Sequence, residues 1–507
     1  MTTLTLGKTE ETMPRNFFPE FNPEAGAFMS IRFYSMIFLP IVAVILSMAS
    51  GKTGLCAEKR SVPNFVIILI DDMGYGDIGP YGSKVNRTPH LDRMAAEGMK
   101  LTSFYAAPVC TPSRAQMMTG CYAKRVSLPN VIFPACPIGL STKEQTVADL
   151  LKQQGYATMA IGKWHLGDQP EFLPTQHGFD HYLGLPYSND MGGNAPPGSK
   201  GRPPLPLLRD AKVIEAPAEQ DKLTELYTEE AVKFIAANQD RPFFLYLPHT
   251  AVHVPLHPGK AFQGKSANGK FGDWVEEVDW SVGRVLDTLK KLKLDERTLV
   301  LFTSDNGPWH VKGKDSGVAG PLRGHKGSTW EGGMREPTIA WWPGKIAPGS
   351  LCDAPLSEID VLPTLVKLAG GQMPADHKID GKDFWPLLSG QNKESPHEAL
   401  FYFNGNRLEA VRSGPWKLAL VHQAELDQKF SKAQLRSFTP TLYNLDADIG
   451  EKTNVAAEHP EVMARLQGFV KQMDADLGAT GIGPGVRPPG RVADPKPLWK
   501  RSAKEYD

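Results

Sequence analysis

Cysteine is scarce in this chain of 507 residues, and so are long apolar stretches and any excess of charge. Only five cysteines are present, which excludes the dense disulfide framework of small secreted proteins. Lysine plus arginine total 56 and aspartate plus glutamate total 56, so no global positive field exists to hold nucleic acid or an anionic membrane. We therefore predict no nucleic-acid partner, and any affinity for anions must be local.

The one long apolar run lies near the start, at residues 36–48. It is shorter than the roughly 20 residues that span a bilayer, and small residues follow it, so it predicts a signal peptide and not a stable membrane span. We assign residues 1–57 to this leader, with Met29 as an alternative start. A lipid anchor at Cys56 is not expected because leucine precedes it, which leaves a periplasmic or secreted protein as the prediction.

From residue 62 onward, short apolar runs alternate with helical patterns, which is typical of βαβ units and a mostly parallel sheet. The predicted strands are Asn64–Ile70, Ala157–Ile161, 242–247 and 298–303, and the predicted helices are 88–98, 145–154 and 276–291. After residue 394 the pattern becomes strand-like and ends in a helix at Pro460–Leu477. We predict an α/β catalytic domain at residues 58–393, followed by a small antiparallel sheet with one helix and a tail at 394–507.

Ionisable side chains follow each of the four predicted strands. In strand order they are Asp71 and Asp72, then Lys163 and His165, then His249 and His253, then Asp305 and Asn306. Ligands of open α/β sheets bind beyond the carboxyl ends of the strands, so these groups should converge on one crevice. An aspartate pair after a strand is more often a cap or turn, but the oxygen donors Asp71, Asp72, Asp305 and Asn306 together suit Ca²⁺ far better than Zn²⁺.

A single cysteine stands at the predicted start of a helix, in the segment Cys110-Thr111-Pro112-Ser113-Arg114. Proline suits the first turn of a helix, which puts Cys110 at the positive end of the helix dipole and Arg114 one turn later on the same side. An anion would be stabilised there. A lone cysteine beside an arginine is more often structural, and a local bridge between Cys121 and Cys136 remains open.

The C-x-P-S-R segment, with Thr119-Gly120 later in its helix, resembles the signature of the type I, formylglycine-dependent sulfatases. Residues 162–167 (GKWHLG) and 324–337 (GHKGSTWEGGMREP) resemble further family segments in the same order, and the resemblance covers about residues 62–390. It is closest to the arylsulfatase A-like branch of the alkaline phosphatase-like superfamily. That implies a large, mostly parallel sheet sandwiched by helices. Cys121 departs from the family, which commonly has arginine there.

The resemblance implies a sulfuric ester hydrolase that uses a formylglycine derived from Cys110 and one Ca²⁺. The implied metal ligands are Asp71, Asp72, the converted Cys110, Asp305 and Asn306. Arg114 and Lys163 would orient the aldehyde hydrate, and the sulfate would be bound by Lys163, Ser188, His253 and Lys326. His253 or Lys326 would protonate the leaving alcohol, and His165 would take the proton that regenerates the aldehyde. The implied partners are a sulfated small molecule or glycan and a formylglycine-generating enzyme.

Two other functions remain open on the same residues. A phosphate or phosphonate monoester hydrolase would use the same scaffold, but phosphate-handling relatives often have Asp-His where this chain has Asp305-Asn306. A non-catalytic sulfoglycan-binding protein would result if Cys110 were never oxidised. Specificity is expected in the loops at 187–206 and 310–322 and in the C-terminal part, where no motif identifies a sugar or a linkage.

Overall fold

The computed structural model describes residues 62–193, 202–423 and 438–498. The predicted leader at 1–57, with Met29 and Cys56, lies outside the described residues. Among the residues that are described, no helix combines the length and the apolar character that crossing a bilayer requires.

An eleven-stranded sheet forms the centre of the described chain. Its strand order is β11-β2-β10-β9-β1-β8-β4-β5-β6-β7, and β12 pairs with β2. The strands are β1 Asn64–Ile70, β2 Met99–Tyr105, β4 Ala157–Ile161, β5 His181–Gly184, β6 Leu207–Arg209, β7 Lys212–Glu215, β8 Phe243–Pro248, β9 Thr298–Ser304, β10 Arg335–Trp341, β11 Ser350–Cys352 and β12 Leu356–Ser357. A separate short pair joins β3 Ile138–Gly139 to β17 Gly490–Arg491.

The middle of the sheet is parallel. Strands β9, β1, β8, β4 and β5 run in the same direction, whereas β10 is antiparallel to both β9 and β2. The first four of these parallel strands are the four predicted from the sequence, and they are neighbours in the sheet. Their carboxyl ends therefore share one edge, as the crevice prediction requires.

Both faces of the sheet are covered by apolar side chains. Successive residues of β1 point to opposite faces, and the structure assigns Phe65, Ile67 and Leu69 to one core cluster and Val66, Ile68 and Ile70 to the other. The helices are α1 Pro89–Glu97, α2 Cys110–Thr119, α3 Val147–Gln153, α4 Leu223–Ala237, α5 Gly269–Lys291, α6 Glu331–Met334, α7 Val361–Leu368, α8 Trp385–Leu388 and α9 Pro460–Leu477. Helices α2, α3 and α7 supply the first cluster, and α1, α4 and α5 supply the second. The predicted α/β sandwich is confirmed.

A second, antiparallel sheet lies in the C-terminal part. It contains β13 Leu400–Asn404, β14 Arg407–Ser413, β15 Trp416–Ala419 and β16 Thr441–Asn444 in that order. Leu466 of α9 packs on Val411, Leu418 and Leu442 of this sheet, which agrees with the predicted sheet with one helix. The domain boundary between residues 393 and 394 stays a prediction.

Two elements differ from their predicted bounds. Strand β8 lies one residue later than predicted, and α5 begins at Gly269, seven residues before the predicted start at Glu276. The described part of the tail contacts the preceding domain, because Arg487 pairs with Glu144 at 2.7 Å and β17 pairs with β3. Cys121 and Cys136 are both free, so the local bridge left open by the sequence is not formed.

Candidate active site

The loops after the four parallel strands are tied to one another by backbone hydrogen bonds. The Asp71 amide donates to the Ala251 carbonyl at 2.8 Å, and the Val252 amide donates to the Asp71 carbonyl at 2.7 Å. Gly162 allows β4 to join this group, since its φ is +130° and a Cβ there would lie 1.8 Å from the Pro248 carbonyl oxygen. Lys163 then donates its amide to that same carbonyl at 2.8 Å, which fixes the start of its side chain.

Helix α2 brings Cys110 to the same edge of the sheet. The helix begins at Cys110 itself, so Pro112 is its third residue, and both lie in the first turn as predicted. Ser113 anchors this turn, because its hydroxyl accepts from the Ala107 amide at 2.8 Å and donates to the Asp305 carbonyl. The Cys110 Sγ lies 3.5 Å from Asp71 Oδ1 and 3.4 Å from Lys326 Nζ. A predicted metal ligand and a predicted sulfate ligand therefore both contact the predicted nucleophile.

Each buried carboxylate of the site is paired with a buried cation. Lys163 Nζ lies 2.5 Å from Asp71 Oδ2, and Lys326 Nζ donates to Asp72 Oδ1 at 2.6 Å. Arg114 donates through Nε and Nη2 to Asp305 Oδ2 at 3.0 and 2.8 Å. Its Nη1 donates to the Lys163 carbonyl at 2.6 Å, so the guanidinium ties two strand ends together. The predicted role of Arg114 in orienting the hydrate is not tested by these contacts.

His253 and Ser188 complete the side of the pocket that faces Asp72. His253 Nε2 lies 3.6 Å from Asp72 Oδ2 and 3.3 Å from the Ser188 hydroxyl. Lys163 Nζ donates to that hydroxyl at 3.3 Å. His253 Nδ1 lies 2.6 Å from the Val254 carbonyl, which places the ring hydrogen on Nδ1 and the lone pair on Nε2 when the ring is neutral. His249, by contrast, contacts Ser281 at 3.1 Å.

The arrangement of oxygen atoms fits a hard cation. Ligand atoms of Asp71, Asp72, Cys110 and His253 lie within 4.8 Å of one another. Asp72 Oδ2 and Asn306 Oδ1 are buried without a hydrogen-bond partner, although burying an unpaired acceptor is costly. Asn306 Nδ2 donates to Asp72 Oδ1 at 2.7 Å, which holds the two side chains next to each other. Two of the predicted ligand oxygens are thus free to accept a cation.

The pKa shifts of the buried carboxylates reflect burial first and the charges of their neighbours second. Burial raises the pKa of Asp72, an effect that the Asp71 charge reinforces and Lys326 opposes. Burial and Asp71 likewise raise the pKa of Asp305 to about 6 against the effect of Arg114. Burial would raise the pKa of Asp71 too, but Lys163 and its other cationic neighbours hold it well below its usual range. A divalent cation would relieve this repulsion.

The Cys110 thiol is in a poor environment for thiolate chemistry. Burial raises its pKa well above the usual value, and the nearby Lys163 and Lys326 do not compensate. Lys326 keeps its proton, because Asp72 raises its pKa even though burial opposes the charge. A reaction that needs an unmodified thiolate is therefore disfavoured here.

His165 lies next to the start of helix α2, where its carbonyl accepts from the Thr111 hydroxyl at 3.0 Å. Its Nε2 lies 2.9 Å from the Ile132 carbonyl, so the hydrogen is on Nε2, and Nδ1 is buried without a hydrogen-bond partner. Burial lowers its pKa well below the usual value, and Lys163 and Arg114 reinforce that effect. The ring is therefore neutral with a lone pair on Nδ1, which is the form that a proton acceptor needs.

Two features of the site were not found from the sequence. Trp309 approaches the pocket, with its ring centre 5.4 Å from that of His253 and 4.6 Å from Lys326 Nζ. Glu331, five residues after Lys326, lies in a buried charge cluster with Lys417 and Glu451 of the C-terminal part. Trp309 stands just before the loop that was expected to set specificity, which was the available signal. No signal in the sequence pointed to Lys417, because a lysine in a short strand looks like a surface residue.

Comparison with known proteins identifies the family to which this chain belongs. Residues 63–371 match the family model described as sulfatase, and residues 395–481 match the model for the C-terminal region of aryl-sulfatase. The chain belongs to the sulfatase family. This sulfatase is 40% identical to arylsulfatase A of Bos taurus over 460 residues, covering 85% of this chain and 89% of the relative. It is also 40% identical to N-acetylgalactosamine-6-sulfatase of Rattus norvegicus over 410 residues, covering 76% and 75% of the two chains.

A solved structure agrees with the sequence matches. The PsFucS1 sulfatase from Pseudoalteromonas sp. aligns with a TM-score of 0.75 at 28% identity, covering 84% of this sulfatase and 93% of that chain. The predicted arylsulfatase A-like relationship is therefore confirmed. The protein is a sulfuric ester hydrolase, and the pocket at the carboxyl ends of β1, β4, β8 and β9 is its candidate active site.

Proposed function

We propose that this sulfatase hydrolyses sulfate esters of carbohydrates or aryl alcohols through a formylglycine made from Cys110, with one Ca²⁺ beside it. The observation that carries the proposal is the position of Cys110 Sγ, which lies 3.5 Å from Asp71 and 3.4 Å from Lys326. Residue 110 is thus next to a carboxylate suited to a cation and an ammonium suited to a sulfate oxygen. A formylglycine-generating enzyme is the maturation partner that this requires.

Two groups absent from the polypeptide sequence supply the chemistry. A hydrated aldehyde at position 110 would offer one hydroxyl as the nucleophile and a second whose deprotonation would release the sulfate. Calcium, when bound, would supply Lewis-acid stabilisation of the sulfate oxygens. The residues that would hold the calcium are Asp71, Asp72, residue 110, Asp305 and Asn306, and the unpartnered oxygens of Asp72 and Asn306 support this ligand set.

The cationic side chains position the reacting groups. Lys326 bridges Asp72 and residue 110, where it would hold a sulfate oxygen and stabilise charge that develops in the transition state. Lys163 lies between Asp71 and Ser188 and would orient the hydrate and the sulfate. Arg114 keeps Asp305 ionised and facing the pocket, since both of its contacts to that carboxylate are charge-assisted.

Proton transfer is assigned to three side chains. Lys326 carries a proton in the resting site and can deliver it to the leaving alcohol, whereas neutral His253 must first gain a proton on Nε2 before it can act as the acid. Burial lowers the pKa of His253 to about 3, and Lys326 adds to this effect, whereas Asp72 raises the pKa of Lys326. His253 has little tendency to hold a proton and Lys326 has little tendency to release one, so both stay candidates for the donor. His165, with its free Nδ1, would take the proton that restores the aldehyde.

The substrate class follows from the relatives only in outline. One relative is named for an aryl ester and another for a sulfated amino sugar, which supports a ring-bearing alcohol as the leaving group. The apolar run at residues 36–48 predicts export, and we propose a periplasmic or secreted enzyme without a lipid anchor. Sequencing the amino terminus of the mature protein tests the predicted cleavage after Ala57 and the alternative start at Met29.

Peptide mass spectrometry across residues 107–114 is the decisive experiment. The expected result is the mass loss that accompanies replacement of the Cys110 thiol by an aldehyde, together with hydrolysis of an aryl sulfate. The variant Cys110→Ala should lose turnover, and Cys121→Ala is the matched control because Cys121 lies outside the pocket. A thiol at position 110 with no turnover would support a sulfoglycan-binding protein instead. Faster hydrolysis of the matched aryl phosphate or phosphonate would support the other hydrolase.

A further inference from the structure

Trp309 presents an aromatic surface to the solvent beside the sulfate-binding side chains. It is partly exposed, although a large aromatic ring gains most from burial. Its ring centre lies 5.4 Å from that of His253 and 4.6 Å from Lys326 Nζ. A group attached to a sulfate that contacts these two residues would therefore lie within reach of the indole.

The segment that carries Trp309 is basic, in contrast to the neutral chain. Between residues 308 and 326 the only acidic side chain is Asp315, whereas the basic ones are His310, Lys312, Lys314, Arg323, His325 and Lys326. Lys312 is exposed, and its Nζ lies 4.4 Å from the Trp309 ring centre. An exposed cation–π contact is weak, so an arriving anion can draw the ammonium away from the ring at little cost.

We propose that Trp309 and Lys312 form a subsite for the alcohol part of the substrate, with the indole contacting its ring and Lys312 binding a second anionic group. The preferred substrate is then a saccharide that carries a second sulfate or a carboxylate besides the ester that is cleaved. This inference rests on the proposed function and narrows its substrate class. An aryl sulfate with no second charged group would use only the indole, and an open-chain alkyl sulfate would use neither contact.

The chemistry of each contact sets what the variants should do. Trp309→Ala removes the ring contact, whereas Trp309→Phe keeps a smaller one. Lys312→Gln removes one charge but keeps most of the side-chain length. Lys314→Gln is the matched control, because Lys314 is an exposed lysine of the same loop and its loss changes the loop charge equally. If only the total charge of the loop matters, both lysine variants should show the effect. If Lys312 contacts the substrate directly, only Lys312→Gln should show it.

The test measures kcat and KM for the full-length enzyme on paired substrates. The first pair is phenyl sulfate and its 3- and 4-carboxyphenyl analogues, and the second is a monosulfated amino sugar and its disulfated form. Ratios of variant to wild type for each compound cancel the reactivity of the leaving group. We expect Lys312→Gln to raise KM about tenfold for the doubly anionic compounds and less than about twofold for the singly charged ones, an effect that salt should weaken.

Trp309→Ala should lower kcat/KM for all ring-bearing esters by about tenfold or more, and Trp309→Phe should restore most of the loss. Equal effects of Lys312→Gln and Lys314→Gln, or equal effects on singly and doubly charged compounds, would overturn the anion subsite. Unchanged kinetics in Trp309→Ala would overturn the ring contact. Because phenyl sulfate turnover and the aldehyde at position 110 are measured on the wild type, failure of the proposed function would be seen separately.

Discussion

Lys417 provides a sharp test of how the C-terminal part supports the pocket. It is fully buried, and its Nζ lies 3.2 Å from Glu331 Oε1 and 2.7 Å from Glu451 Oε1. The same ammonium donates to the Thr329 carbonyl at 2.8 Å. Thr329 and Glu331 follow Lys326 by three and five residues, so Lys417 fixes the chain just after the proposed sulfate ligand Lys326. We predict that Lys417→Met loosens that segment and lowers both stability and turnover.

The size of the stability loss follows from the charges that remain. Removing one partner of a buried ion pair typically costs about 3–5 kcal/mol. Glu331 keeps a hydrogen bond from the Tyr402 hydroxyl at 3.0 Å and lies 3.5 Å from Arg335, so its charge stays compensated. Glu451 keeps the Glu331 amide as donor, and burial already raises its pKa to about 7, so it can become protonated. We therefore expect a loss near the low end, about 3 kcal/mol.

The catalytic effect distinguishes a positioning residue from a merely structural one. A displacement of about 1 Å in a reacting group can cost about a hundredfold in rate, so kcat on phenyl sulfate should fall at least tenfold at a temperature where the variant is fully folded. Thermal unfolding and steady-state kinetics measure the two effects. The double variant Lys417→Met/Glu451→Gln should recover part of the stability and little of the kcat, and the exposed neighbour Lys452→Met is the control.

The reasoning would be refuted if Lys417→Met lost stability but kept wild-type kcat and KM. In that case the other contacts to this segment would suffice to position Lys326. Three such contacts come from the same C-terminal part. They are Asn404 to the Gly327 carbonyl at 3.3 Å, Thr329 to Glu409 at 2.8 Å and Gln423 to the Thr329 hydroxyl at 3.0 Å.

Three further outcomes follow from the site and the fold. When calcium is added back to protein whose metal a chelator has removed, at about a hundred times the dissociation constant, the folded state should be stabilised by about 2.7 kcal/mol. The bound cation relieves the repulsion between the aspartates. Thermal unfolding that is equal with and without calcium would contradict this. Asp305→Ala should abolish turnover, since it removes a proposed ligand and leaves Arg114 buried without its carboxylate, and near-normal kcat would count against the mechanism. Burial raises the pKa of Glu277 to about 7, so its contribution to stability is full below its unfolded pKa and is lost as the pH rises through about 7. Glu277→Gln should therefore have its largest deficit in melting temperature below about pH 4.5 and a smaller one above pH 8, and a pH-independent difference would be evidence against it.

Much of the site could be predicted because it depends on local sequence and on one rule of topology. The strands β1 and β4 have the predicted bounds, and polar residues directly follow each apolar run. Since the ends of parallel strands share an edge, Asp71, Lys163 and Asp305 could be placed together although more than 200 residues separate the first from the last. The order of the strands in the sheet could not be predicted, because hydrophobic periodicity and strand propensity identify a strand but not the strands that pair with it.

The supporting contacts could not be predicted because they depend on which side chains the folded chain buries. Lys417 sits in a strand of four residues between a turn and a loop, where lysine is ordinarily solvated. Its burial follows from the packing of the C-terminal sheet against residues 329–331, about 90 positions earlier. Trp309 is a similar case, because its role depends on the path of an irregular loop. Sequence patterns predict single helices and strands, whereas these two residues contact other parts of the folded chain.

The balance of charge explains why so polar a pocket can be buried and still bind an anion. Three carboxylates, Asp71, Asp72 and Asp305, are matched by three cations, Arg114, Lys163 and Lys326, and both histidines are neutral at pH 7. Without a metal the pocket therefore has little net attraction for sulfate. A bound calcium would add two positive charges, which exceed the single negative charge of a sulfate monoester and equal the two of the released sulfate. We therefore expect metal loading and anion binding to be coupled, because without the cation the carboxylates proposed to hold it would repel the substrate.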